Sequence, residues 1–261
     1  MFLLLSSWSM AGDVVIDPKI EIPLVITGLG GYYLLQNQQP RDTSTIAQPQ
    51  GIDLWGTPRW NDEMIPFSDF MGHPLKLYGF NLPILSTLAI GTAIGSKKGV
   101  KQGLVHSFVV VEAVVTTVFI TQGLKNIISR PRPFTSLAFQ EQYPDVYAGE
   151  YIQEELETWD AWMSMPSGHT SVAGATYTSI ATLLSAHDPQ NKFWFYGGAA
   201  TLTLITGYSR VAAGMHHPTD VIAGGLLGAA IGYGITQIHL TNSNISAQLA
   251  APNMIQVQGA W

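Results

Sequence analysis

Lys125, Arg130 and Arg132 fall within eight residues, in the run Lys125-Asn-Ile-Ile-Ser-Arg130-Pro-Arg132-Pro133. The run closes an otherwise apolar stretch. Guanidinium forks and an ammonium suit a phosphate or carboxylate oxyanion. A second segment, Pro166-Ser167-Gly168-His169-Thr170, precedes another apolar stretch. Ser167 suits an N-cap and Gly168 admits close backbone approach to a ligand. A helix N-terminus there would offer free N–H groups and a dipole to an anion. His169 would add a titratable proton. The third segment is Ser209-Arg210, followed by His216-His217-Pro218-Thr219-Asp220. His216 and Asp220 lie four apart across a helix start, with Pro218 in the first turn, where its missing N–H costs nothing. A carboxylate on one imidazole nitrogen fixes the tautomer and leaves the other nitrogen free as a nucleophile.

Each segment also has a plainer reading: a basic cluster at a membrane interface, a capped helix start with a solvated histidine, or interface histidines beside an N-terminal acid. Six apolar stretches must position the three segments. They run over residues 22–35, 80–95, 104–124, 170–186, 193–211 and 220–239. None alternates with period two along its length, and their lengths favour helix. A membrane span needs about 20 apolar residues; the third, fifth and sixth stretches approach that. Gly224, Gly228 and Gly232 recur every fourth residue in the last stretch. That spacing puts them on one helix face, where backbones can approach closely.

Composition points the same way. The 261-residue chain is 46% hydrophobic and 11% charged, whereas soluble domains carry about 25% charged residues. A membrane-embedded chain explains the deficit, with polar loops outside the bilayer accounting for a mean hydropathy of only +0.18. The net charge of −6 and the lack of a long basic run argue against nucleic acid as a partner. There are no cysteines, so disulfides and thiolate metal sites are excluded. Met1–Leu5 is apolar and Ser9-Met10-Ala11 resembles a cleavage site, but no basic segment precedes them. A truncated signal peptide and a frayed terminus remain equal alternatives.

Two polar regions interrupt the stretches. Residues 36–79 hold five of the fifteen prolines, with Trp55 and Trp60. Residues 130–165 hold an acidic cluster of Glu150, Glu154, Glu155, Glu157 and Asp160. The cluster reads first as a solvated face and second as a means of repelling or steering anionic substrates. Lys97, Lys98 and Lys101 lie between the second and third stretches, and Lys192 between the fourth and fifth. Basic short links mark the cytoplasmic side. If all six stretches span, the three chemical segments lie on the opposite side. A cleaved signal would conflict with that topology.

In order and spacing the three segments resemble the signature of the type 2 phosphatidic acid phosphatase superfamily, which is Lys-x6-Arg-Pro, Pro-Ser-Gly-His and Ser-Arg-x5-His-x3-Asp. Lys125…Arg132-Pro133, Pro166-Ser167-Gly168-His169 and Ser209-Arg210…His216…Asp220 match it without a departure. The resemblance spans about 104–239. It implies an all-α, six-helix bundle, expected to be transmembrane, with a catalytic core over 80–239. An N-terminal segment over 1–79 would precede the core, and an uncharged tail over 240–261 would follow it.

The resemblance also implies that His216 attacks phosphorus, that Asp220 orients it, and that His169 protonates the leaving alkoxide and then activates water. Lys125, Arg132, Ser167, Gly168 and Arg210 would hold the phosphoryl oxygens. Arg130 and His217 lie outside the signature. Three protein cations would take the place of a metal, so no cofactor is expected.

The implied activity is metal-independent hydrolysis of lipid phosphate monoesters or diphosphates, polyprenyl diphosphate included, at the outer face of a bacterial inner membrane. A soluble periplasmic acid phosphatase with the same site is the alternative; it requires a true signal peptide and extraction without detergent. A vanadate-dependent haloperoxidase shares such a site but is generally larger and soluble. A catalytically dead membrane scaffold would call for an incomplete signature. Headgroup and oligomeric state are not encoded legibly.

Overall fold

A computed structural model describes residue 14 and residues 16–36, 61, 64–72 and 81–250. The possible signal at residues 1–11, Trp55, Trp60 and the tail beyond residue 250 lie outside the described residues. The expected all-α class holds, with no strand among the described residues.

Each of the six apolar stretches corresponds to a long helix. They are α1 (Pro18–Gln36), α3 (Leu82–Lys98), α4 (Val100–Ile128), α8 (Gly168–His187), α9 (Lys192–Ala212) and α10 (Pro218–Ala250). The polar regions add α2 (Met64–Gly72), α5 (Leu137–Gln142), α6 (Pro144–Tyr147) and α7 (Glu150–Glu157). α10 continues beyond residue 239, so the first part of the expected tail is helical.

Local signals set the helix ends. Asn81 Oδ1 accepts from Ile84 N at 3.1 Å and caps α3, with Pro83 in its first turn. Gly99, at φ 91°, ends α3 and opens α4. Ser129 ends α4 in the left-handed region at φ 47°, and its N–H bonds the Lys125 carbonyl at 2.8 Å. Pro131 then prevents the helix from resuming.

α8 is the centre of the bundle, packed by α3, α4, α9 and α10. The glycine stripe of α10 does what its spacing predicted. A Cβ on Gly228 would lie 1.9 Å from the Ser171 carbonyl oxygen of α8, and one on Gly224 would lie 2.6 Å from that of Ser167. Only hydrogen fits in these gaps, so the two backbones touch. α1 lies along α4, where Gly28 faces Val115 and Asn126 donates to the Leu35 carbonyl at 2.8 Å.

The bundle has an inverted polarity. Thr117, Ser171, Thr176, Ser179 and Thr206 are fully buried, while Phe193, Trp194, Leu204, Leu226 and Ile238 are exposed. No residue of α1 is buried, and Ile20, Leu24, Ile26 and Leu34 face outward. Such a broad exposed apolar belt marks contact with something other than water. Among the described residues, the stretches Val100–Gln142 and Pro218–Leu240 are long and apolar enough to cross a membrane. α9, expected to approach that standard, has the length at 21 residues. Its glycines and threonines keep it less apolar.

The basic links collect at one end. α4 starts beside Lys97, Lys98 and Lys101 and reaches Lys125 in its last turn. Its 29 residues cover about 43 Å at 1.5 Å per residue. Lys192 likewise opens α9, and Arg210 lies in its last turn. Lys125 and Arg210 therefore stand at the opposite end from the basic links. Toward the links, His239 Nε2 of α10 lies 2.8 Å from Glu112 Oε2 of α4 and 3.6 Å from Glu21 Oε2 of α1.

Candidate active site

The three segments predicted from sequence meet at one end of the bundle. Lys125 is buried in the last turn of α4, and Arg132 is buried in the loop after it. Ser167 is the N-cap of α8, followed in the first turn by half-buried Gly168 and His169. Arg210 is buried near the end of α9. Buried His216 lies in the turn to α10, and Asp220 in that helix's first turn has no exposed surface.

Backbone bonds hold the segments in register. Ser167 N donates to the Asp220 carbonyl at 3.0 Å, tying the second segment to the third. Ser164 N donates to the Arg130 carbonyl and Arg132 N to the Ala161 carbonyl, both at 2.8 Å, tying the first segment to the approach to the second. Ser167 caps through its backbone only. Its side chain makes no capping bond and instead accepts from Thr170 Oγ1 at 3.1 Å. The Met165–Pro166 peptide is cis.

His216 and Asp220 are linked through a third residue. Their Nδ1 and Oδ2 atoms are 3.7 Å apart, long for a hydrogen bond. Ser164 Oγ lies between them, 3.3 Å from Nδ1, and donates to Oδ2 at 2.6 Å. Since the hydroxyl hydrogen is committed to Asp220, Oγ can only accept from the imidazole. That places the proton on Nδ1 and the lone pair on Nε2. Sequence reasoning missed Ser164, which carries no signal except its position three residues before Ser167.

Asp220 is further held by Arg130, which donates to Oδ1 at 2.7 Å, and by His217 N, which donates to Oδ2 at 2.9 Å. Arg130 and His217, outside the signature, thus both support the carboxylate. His217 Nε2 also lies 3.3 Å from the Pro131 carbonyl oxygen.

Arg132 donates through Nε to the Asp160 carbonyl at 2.8 Å and through Nη1 to the Met215 carbonyl at 3.3 Å. Nη2 is paired with the Asp160 carboxylate, and Lys125 Nζ lies 3.6 Å from Asp160 Oδ1. Partial desolvation by its neighbours pushes the half-exposed Asp160 carboxyl up, but Arg132 and Lys125 outweigh it and hold the group well below the usual carboxylate range. Burial, reinforced by Arg132 and Arg210, pulls the His216 imidazole down to about 3 against the opposing pull of Asp220. His216 is therefore neutral and able to act as a nucleophile.

The acidic cluster divides in the structure. Glu150, Glu154 and Glu157 are exposed, as a solvated face should be. Asp160 instead joins the cations of the site. A separate small core makes this possible, in which Phe134, Phe139, Ile152, Ala161, Ala213 and Met215 pack together. It fixes the polar cap over residues 130–165 against the turn that carries His216.

The arrangement offers a neutral imidazole oriented by a hydroxyl and a carboxylate, three buried cations, and a helix N-terminus carrying a second histidine. Those are the parts for covalent transfer of an oxyanionic group. Phosphatidylglycerophosphatase B of Bacillus subtilis (strain 168) is 40% identical over 68 residues, 25% of this chain and 34% of the relative. Lipid A 1-phosphatase of Rhizobium johnstonii is 33% identical over 106 residues, 41% of this chain and 36% of the relative. The chain thus spans about a third of the length of these curated relatives. A crystal structure of a transmembrane PAP2-type phosphatidylglycerolphosphate phosphatase from Bacillus subtilis superposes with a TM-score of 0.48 at 21% identity, over 86% of this chain and 96% of that one. The PAP2 superfamily model matches residues 107–244, more than half of the 261 residues and all three segments, and the chain belongs to that superfamily.

Proposed function

We propose that this protein is a membrane phosphatase that hydrolyses phosphate monoesters or diphosphates of lipids through a phosphohistidine on His216. The observation that carries the reading is the relay from His216 Nδ1 through Ser164 Oγ to Asp220 Oδ2, which leaves Nε2 as the nucleophile.

In the first step Nε2 attacks phosphorus and the bond to the leaving oxygen breaks. His169 gives that oxygen a proton. The imidazole gains positive charge on phosphorylation, and Asp220 stabilises it through the relay. Lys125, Arg132 and Arg210 hold the non-bridging oxygens, with Ser167 and Gly168 at the N-terminus of α8. In the second step His169 takes a proton from water, which attacks phosphorus and releases phosphate, and His216 regains its lone pair.

The exposed apolar belt favours a membrane-spanning bundle over a soluble phosphatase. With the basic links at the cytoplasmic end, the site faces the other side, which is the periplasm for a bacterial inner membrane. The two curated relatives are named for lipid phosphates, and a lipid substrate would reach such a site from the outer leaflet.

The test is a rapid quench after brief exposure to a lipid monoester labelled on phosphorus. The expected label is stable in base, lost in acid, on His216 and absent from His216→Ala. Label on another residue, or no covalent label during turnover, overturns the reading.

A further inference from the structure

Asp160 belongs to neither the signature nor the helical bundle. It lies in the short turn Trp159–Trp162, between α7 and Ser164. Ala161 anchors that turn in the small core, while Trp159 is exposed. Its carboxylate spans the two cations that the proposed function assigns to phosphoryl oxygens. One oxygen lies 3.6 Å from Lys125 Nζ and the other is paired with Arg132 Nη2. The partners differ sharply in exposure. The Lys125 and Arg132 side chains are 9% and 5% exposed, the Asp160 side chain 52%. The anion therefore reaches in from the solvent side onto cations fixed at the bottom of the site.

We propose that Asp160 is a built-in competitor at the site: its carboxylate stands in for a phosphoryl group on Lys125 and Arg132, and it sets an affinity threshold because an entering substrate must displace it. The proposal rests on the phosphatase reading above. A tethered anion competes at high effective concentration. Replacing its single negative charge with a dianionic phosphate monoester strengthens the attraction to Lys125, Arg132 and Arg210. Replacing it with a monoanionic phosphodiester exchanges like for like and gains little. A bilayer presents phosphodiester headgroups in large excess over monoesters. Asp160 would keep those headgroups off the cations while still yielding to the substrate.

Detergent-solubilised wild type, Asp160→Asn and Asp160→Glu are compared for binding of inorganic phosphate and dimethyl phosphate by calorimetry at pH 8. Steady-state kinetics on a lipid monoester, with and without excess phosphatidylglycerol, are run alongside. In Asp160→Asn both inorganic phosphate and dimethyl phosphate are expected to bind at least about tenfold more tightly, because the same competing carboxylate has been removed from each. KM falls, kcat stays within a few-fold, and excess phosphatidylglycerol becomes inhibitory. Asp160→Glu restores the wild-type affinities. Unchanged or weaker binding of both anions in Asp160→Asn overturns the proposal and makes Asp160 a prop for Arg132. Binding is read without turnover, so an inactive wild type would defeat the phosphatase reading and leave the binding test standing.

Discussion

The Ser164 hydroxyl donates to the Asp220 carboxylate at 2.6 Å, and that single bond decides which nitrogen of His216 carries the proton. Removing the hydroxyl leaves Nδ1 and Oδ2 3.7 Å apart with nothing between them. Ser164→Ala is expected to lower kcat by roughly 10- to 100-fold, the worth of a hydrogen bond to a charged group, with KM nearly unchanged. Steady-state kinetics on a lipid monoester decide the matter; a wild-type kcat would remove Ser164 from the relay.

Arg130 and Asp220 form a nearly dry ion pair across 90 residues of sequence. Breaking such a pair strands a buried charge. Arg130→Gln should lose about 3 kcal/mol of stability or more, while the double variant Arg130→Gln/Asp220→Asn should lose less than the two single losses added together. Unfolding followed in mixed micelles supplies the cycle, and strictly additive losses would deny the coupling.

The glycines of α10 divide into two kinds. Gly228 has a backbone oxygen of α8 where a Cβ would go, whereas Gly234 faces nothing within 4 Å. Gly228→Ala should lower the melting temperature sharply or prevent folding, because the opposing atom is backbone and cannot rotate away. Gly234→Ala should be neutral or gain up to about 1 kcal/mol from helix propensity. Equal effects at the two sites would contradict the contact between helices.

Acid should weaken the fold through His216. The unfolded chain takes up a proton on this residue below about pH 6.5, whereas the native imidazole resists protonation down to about 3. The contribution is complete above that unfolded value and is lost as the pH falls, by up to about 1.4 kcal/mol per unit. Asp160, with its folded value depressed, contributes only to losses below about pH 3.8, outside this window. Between pH 7 and pH 5, wild type should lose more thermal stability than His216→Asn. Parallel slopes for the two proteins would show that His216 is not the group responsible.

The six long helices were legible because each is a run of apolar residues longer than any strand. The candidate site was legible because Lys125, His169, Arg210, His216 and Asp220 sit at fixed offsets within single segments. What escaped were contacts between segments. Ser164 bonds residues 52 and 56 positions away. Arg130 differed in no visible way from a basic residue at a membrane interface. Asp160 stood in an acidic run whose other members are mostly solvated, and only the folded cap separates it from them. That cap depends on Phe134, Phe139, Ile152 and Met215 finding each other over short helices, where the sequence has no sustained period to read.

The backbone bond from Ser167 N to the Asp220 carbonyl joins the starts of α8 and α10, and glycine contacts seal the two helices below it. His169 and His216, the proposed general acid and nucleophile, thus share one rigid foundation. The exposed face of the cap, with Glu150, Glu154 and Glu157, carries no such constraint. Substitutions on that outer face would leave the shared foundation of α8 and α10 untouched.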